Sequence, residues 1–236
     1  MSAGKYIGEE LEIFAHARNW KAYYGSLITS YFGRRVLEVG AGLGVTTSAL
    51  YDPKVTEWIC LEPDLNFHEL LNQKIQNGEL PASCRAIHGT LANIRNDDLY
   101  DTIIYIDVME HIEDDLAEAQ SAALHLKPGG WLIVLSPAHQ WLFTPFDQAI
   151  GHFRRYSRKK LSAIGPEGCV EEKVIYLDSV GMLLSLANKL LLRQSMPTVR
   201  QILFWDRFVV PASKILDRIL MFDFGKSVVG IWKRIG

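Results

Sequence analysis

The feature that most constrains this chain is an alternation of short, β-rich apolar runs with segments of helical periodicity between residues 35 and 137. The runs 35–39, 57–61, 84–88, 102–106 and 131–135 carry too few polar residues for one face to meet water. Strands of that kind are buried on both faces, as in a parallel sheet covered by helices. Helical patterns at 45–51, 65–77 and 112–126 supply the crossovers, and Lys127-Pro128-Gly129-Gly130 predicts a stop before the fifth run. The order predicts an α/β domain.

Both flanks differ from this core. Residues 9–32 read as one N-terminal helix whose face, including Leu11, Phe14, Trp20 and Tyr24, is set to pack over the ligand edge of the sheet. After the fifth run, 136–156 is too long for an ordinary connection, which marks it as a functional loop. Runs 170–177 and 227–232 read as two further strands, separated by apolar helical stretches at 179–192 and 198–222 that are interrupted near Pro197 and Pro211. A length of 236 residues suits one domain. Its expected parts are a cap (1–34), a ligand-binding core (35–137) and a substrate loop with helical insertion and closing strands (138–236).

Three widely spaced cysteines, Cys60, Cys84 and Cys169, form no C-x-x-C pair, and residues 1–10 carry Glu9 and Glu10 rather than a leader pattern. A cytoplasmic protein is the expectation. Residues 1–150 hold 10 Lys and Arg against 20 Asp and Glu, whereas 151–236 hold 15 against 7, so balances of −10 and +8 make up the net −2. The acidic part repels nucleic acid, and the basic part suits an anionic ligand or surface.

In an open α/β sheet, ligands bind beyond the carboxyl ends of the strands where strand order reverses. The first strand leads there into Gly40-Ala41-Gly42-Leu43-Gly44. Val45 stands where the dinucleotide fingerprint G-x-G-x-x-G wants its third glycine. Glu38, just before the loop, would oppose a pyrophosphate but attract the ammonium and sulfonium charges of S-adenosylmethionine (SAM). Glu62, ending the second run ahead of Pro63 and Asp64, is placed to accept ribose hydroxyls from either cofactor.

The motifs V-L-E-V-G-A-G-L-G (36–44), L-E-P-D (61–64), D-T-I-I-Y-I-D-V-M-E-H-I (101–112) and L-K-P-G-G-W-L-I-V (126–134) together resemble the ordered motifs of class I SAM-dependent methyltransferases. The resemblance implies a mostly parallel, Rossmann-like seven-stranded sheet, with SAM as cofactor and S-adenosylhomocysteine as product. It assigns the methionine part to Glu38 and the Gly40–Gly44 loop, and the ribose to Glu62 beside Pro63 and Asp64. Thr90 and Leu91 take the adenine edge, and Asp107, Val108 and His111 the floor near the methyl group. An NAD-dependent oxidoreductase and a SAM-binding module without chemistry stay open as alternatives.

Residues 137–156 gather P-A-H, F-D and G-H-F-R-R-Y, which resembles one subset of stand-alone bacterial methyltransferases. We expect a small-molecule acceptor methylated on a hydroxyl, with Asp147, Arg154, Arg155 and Tyr156 as substrate contacts. His139, ahead of His152, is the expected general base, because imidazole titrates near neutrality. The alternative is that both histidines orient the loop or the substrate. His139, Asp147 and His152 also resemble a metal triad, but such sets equally build loop anchors, and no metal is expected. Basic residues at 154–160 and 189–218 interleave with Leu183, Leu184, Leu191, Phe204, Trp205 and Phe208. That surface suits an anionic, sugar- or lipid-linked acceptor and a peripheral membrane contact, with domain packing or a homodimer as the alternatives.

Overall fold

The computed structural model describes residues 9–187 and 197–236. Seven strands form one sheet in the order β3-β2-β1-β4-β5-β7-β6. They are β1 (Arg35–Val39), β2 (Glu57–Glu62), β3 (Cys84–His88), β4 (Tyr100–Ile106), β5 (Leu126–Pro137), β6 (Cys169–Leu177) and β7 (Ser227–Arg234). The first five are mutually parallel, and β7 runs antiparallel between β5 and β6. The class I methyltransferase sheet expected from the motifs is thus the observed one. Strand order reverses between β1 and β4, so the glycine loop after β1 lies at the switch point.

Central strands are buried on both faces: Leu37, Trp58, Ile59, Ile103, Ile104, Leu132 and Ile133 are all inaccessible to solvent. Helices α3 (Val45–Leu50), α4 (Leu65–Gln76) and α5 (Asp115–Leu124) make the crossovers. Asp64 caps α4 through Asn66 N and Phe67 N, and Asp114 caps α5 through Ala117 N. Lys127-Pro128-Gly129-Gly130 is not a stop before β5. Tyr100 pairs with Leu126 and Thr102 with Trp131, so the glycines loop out as a bulge, with Gly129 at φ +79°.

The N-terminal segment is two helices rather than one, α1 (Glu9–Ala15) and α2 (Arg18–Ile28), followed by a 3-10 turn at Thr29–Tyr31. After β5 come α6 (Pro145–Ala149), α7 (Arg158–Ala163), and, beyond β6, α8 (Ser179–Ala187). Leu191, Lys189 and Arg193 lie outside the described residues. Pro211 does not interrupt its helix. Helix α9 (Val199–Phe204) widens into a π turn at Trp205–Val209 and passes directly into α10 (Val210–Ile219), the wider turn accommodating a ring that has no N–H to donate.

The two carboxylates of this long helix both point inward. Asp206 accepts from Asn19 N (3.0 Å) and Trp20 N (2.8 Å), capping the first turn of α2, whose own N-cap, Ala17, has no side chain for the task. Asp217 accepts from Asp178 N (2.7 Å), Ser179 N (2.9 Å) and the Tyr23 hydroxyl (2.7 Å), and so caps α8 and ties it to α2. Trp205, expected on an exposed face, is buried over the same interface and donates Nε1–H to Asp178 (2.7 Å).

Candidate active site

Above the carboxyl ends of β1, β2 and β4 lies a cavity of about 1060 Å³. One side of it is the glycine loop. Gly40 N and Ala41 N both donate to the Leu61 carbonyl (2.8 and 3.2 Å), which folds the loop back over the end of β2. Gly40 and Gly42 adopt φ +70° and +52°, and a side chain on Gly40 would come within 2.6 Å of Val108. Only glycine combines that backbone conformation with that closeness.

Glu62 is 6% exposed and lines the cavity. Its two oxygens accept from Gly42 N (2.7 Å) and Asp64 N (2.9 Å), which fixes the carboxylate between loop and helix while leaving lone pairs for further donors. Pro63, Asp64, Ala41, Asp107, Val108 and His111 line the same cavity. A carboxylate beside a backbone cradle that admits no side chain fits the ribose and methionine portions of SAM.

Four of the expected cofactor contacts do not line the cavity: Glu38, Gly44, Thr90 and Leu91 are absent from its wall, whereas Gly40 to Gly42 and Glu62 are on it. Glu38 is buried beneath the loop, where Thr47 Oγ1 (2.6 Å) and Trp58 Nε1 (2.8 Å) donate to its Oε2. Burial pushes its pKa up to about 7 despite those two bonds. It therefore braces the first turn of α3 rather than facing the ligand. Gly44 opens α3 at φ +70° against Leu71, and Thr90 caps a 3-10 turn that buries Leu91 in the core.

The far floor of the cavity carries a polar cluster. Asp147, on α6, is 1% exposed and binds Arg155 through both oxygens, Nε at 2.9 Å and Nη2 at 3.0 Å. Its Oδ1 also meets His152 Nδ1 at 3.1 Å. Burial opposes the charge, but the bond from His152, the Arg155 charge and the Thr144 hydroxyl outweigh it and hold Asp147 down to about 2. The His111 and His152 rings meet edge to face, centroids 4.5 Å apart. Burial and the adjoining His152 press His111 down to about 4. Glu110 is fully buried, which raises its pKa well above the usual range; Oε2 accepts from Ser136 Oγ (2.9 Å) while Oε1 has no partner. Asp107 is raised to about 6 by burial, against the charges of His152 and Lys21.

The structure separates the two histidines expected as base. His152 lines the cavity, whereas His139 does not. His139 sits at φ +65° with its ring stacked on Tyr176 at 4.6 Å, outside the wall. Arg154 and Tyr156 are also turned away. Both bind Asp115, Arg154 Nη1 at 2.6 Å and the Tyr156 hydroxyl at 2.6 Å, so these two residues anchor the loop to the start of α5. Asp115, the first residue of α5, is that anchor. Asp147 and Arg155 remain at the cavity.

Sequence reasoning missed Lys21 and Lys226, which line the cavity from α2 and from just before β7. Burial lowers Lys21 to about 8 against the attraction of Asp107 and Asp206. No local motif marks either lysine, because each reaches the site only through the packing of distant elements. No helix among the described residues is long and apolar enough to cross a membrane.

The family model described as "Methyltransferase domain" matches residues 14–167. The chain is 26% identical over 140 residues to the mitochondrial ubiquinone biosynthesis O-methyltransferase of Dictyostelium discoideum, covering 55% of this chain. It is 28% identical over 117 residues to the ubiquinone biosynthesis O-methyltransferase of Paracidovorax citrulli, covering 42% of this chain. Each match spans 42% of the relative's length. Among solved structures, geranyl diphosphate methyltransferase in complex with SAM superposes with a TM-score of 0.65 at 11% identity, covering 99% of this chain and 93% of that one. With its seven-stranded sheet, its glycine cradle and its paired carboxylate, the chain belongs to the methyltransferase domain family, the class I enzymes that use SAM.

Proposed function

We propose that this chain methylates a hydroxyl oxygen on a small acceptor that carries an apolar, lipid-like body. The observation that carries the reading is the placement of His152 on the cavity floor, with Nδ1 3.1 Å from Asp147 and Nε2 3.8 Å from Glu110 Oε1. A histidine held in that way has its Nε2 lone pair available to take a proton from a hydroxyl. When bound, SAM supplies an electrophilic methyl group on a sulfonium. Glu62 and the Gly40–Gly42 backbone would hold the cofactor end, and Asp107 and Val108 line the same cavity as His152. Arg155 keeps Asp147 charged and in place, which in turn orients the imidazole. Positioning supplies most of the acceleration, since a general base adds only about 10²- to 10⁴-fold.

Support for the apolar body comes from Leu184, Pro197 and Phe204, which line the cavity, and from Leu183, Phe208, Ile215 and Ile219, which the neighbouring helices leave exposed. Arg200, Arg207, Lys214 and Arg218 are exposed on the same helix, and its two acids face inward, so the charges on its outer face are all cationic. A second copy of the chain would set like charges against each other; an anionic lipid surface matches both components. The ubiquinone biosynthesis O-methyltransferases among the relatives agree with O-methylation.

The test is release of S-adenosylhomocysteine in the presence of paired acceptors, phenols and sugars with and without a prenyl or acyl chain. Turnover confined to hydroxyl acceptors, with KM falling when the chain is added, is the expected result. Binding of NAD in place of SAM, or SAM binding without turnover on any hydroxyl acceptor, overturns it.

A further inference from the structure

We propose that Glu110, His111 and His152 form a site for a divalent transition-metal ion on the floor of the acceptor cavity. The sequence reading weighed a different set, His139, Asp147 and His152, and expected no metal. The fold removes His139 from that set and brings in two residues from the turn after β4 that no ligand spacing in the sequence links to His152.

Each of the three residues offers one donor atom, and the donors lie within 4.8 Å of one another. Glu110 Oε1 and His152 Nε2 are 3.8 Å apart. Donors held 2.0–2.2 Å from one ion stand roughly 3 to 4 Å from each other, so side-chain rotations of less than an ångström close the site. The Glu110 side chain is fully buried, and its Oε1 has no hydrogen-bond partner although Oε2 is held by Ser136. A buried carboxylate oxygen left unsatisfied within 4.8 Å of two imidazole nitrogens is costly unless something else fills the space. A cation does so.

Outer contacts complete the picture. His152 gives its other ring nitrogen to Asp147, His111 gives one to the Gly151 carbonyl, and Asp147 is clamped by Arg155. Carboxylate or carbonyl partners of this kind fix the tautomer and the ring plane of metal-bound histidines. Two imidazoles and one carboxylate suit Zn²⁺, Fe²⁺ or Co²⁺ better than Mg²⁺ or Ca²⁺, which take oxygen ligands. All three ligands face a cavity, which leaves open positions for an oxygen of the acceptor. The site deepens the methyl-transfer reading and rests on it for that last role only. With an ion bound, His152 is a ligand, and the cation's charge takes over its part toward the hydroxyl.

The test uses the whole chain stripped with a chelator and titrated with Co²⁺, followed by visible absorption and by metal content after gel filtration, with neither SAM nor acceptor present. One equivalent of Co²⁺, displaced by Zn²⁺, is the expected result. Affinity falls more than 100-fold in His152→Ala and Glu110→Gln, and about 10- to 100-fold in Asp147→Asn, all with unchanged far-UV circular dichroism. Glu110→Gln preserves the bond to Ser136 and so guards against misfolding as the explanation. Failure to retain any metal, or an affinity in Glu110→Gln and His152→Ala unchanged from that of the unaltered chain, overturns the proposal. A protein that methylates hydroxyls without retaining metal sinks this inference alone, whereas one that binds Co²⁺ as described but turns over no hydroxyl acceptor sinks the methyl-transfer reading alone.

Discussion

His152 Nδ1 stands 3.1 Å from the Asp147 carboxylate, and the same carboxylate receives the Arg155 guanidinium through two bonds. Three residues that are separate in the sequence pattern thus act as one unit at the cavity floor. His152→Ala is expected to lower the methylation rate about 10²- to 10⁴-fold, while His139→Ala stays within a few fold of the unaltered protein. Rates of S-adenosylhomocysteine release compare the two. Equal losses would show that the cavity wall does not distinguish the histidines.

Arg155→Ala leaves the buried Asp147 charge without its main cationic partner. Removing one member of a buried pair costs about 3–5 kcal/mol. In a chain of this size that lowers the melting temperature by roughly 6–20 °C, which scanning calorimetry reads directly.

The pH dependence of stability follows from the same carboxylate. Asp147 titrates at about 2 in the folded chain against an ordinary 3.8, so the unfolded chain binds more protons between those values. Its contribution is fully present above about pH 4 and is lost as the pH falls toward 2. Urea midpoints across that window should drop less steeply in Asp147→Asn, which starts from a lower stability at neutral pH.

Glu62 and Glu38 should respond differently in SAM titration calorimetry. Glu62→Ala removes a carboxylate on the cavity wall and weakens SAM binding about 10- to 100-fold, the value of a charge-assisted contact of about 1.5 to 3 kcal/mol. Glu38→Gln retains acceptors for Thr47 and Trp58 and changes affinity only a few fold. Glu38→Ala strands both donors, at about 1–3 kcal/mol of stability for each.

The outer face of α9 and α10 predicts retention on anionic vesicles at low salt, weakened as ionic strength rises. Phe208→Asp and Ile215→Asp, both at exposed positions, should abolish flotation without lowering the melting temperature. Failure of the unaltered chain to float at low salt would return this face to packing or self-association.

The parallel core and the glycine loop were legible in the sequence because their causes are local. A strand buried on both faces must be apolar throughout, and a loop against Val108 at φ +70° admits only glycine. Those demands act on neighbours in the chain, so runs and motifs reveal them. The long helix of residues 199–219 was half legible: its periodicity was clear, but Pro211 read as an interruption because the π turn that absorbs it leaves no composition signal. Which polar residues share the site was decided by tertiary structure. Glu38 and His139 have the right chemistry, yet packing turns one beneath the loop and stacks the other on Tyr176. Lys21 arrives from α2, Glu110 and His111 from the turn after β4, and His152 from the loop after α6, and their convergence depends on how helices dock on the sheet. Short-range sequence pattern records what each element must bury. It does not record which polar side chains the docked elements bring face to face.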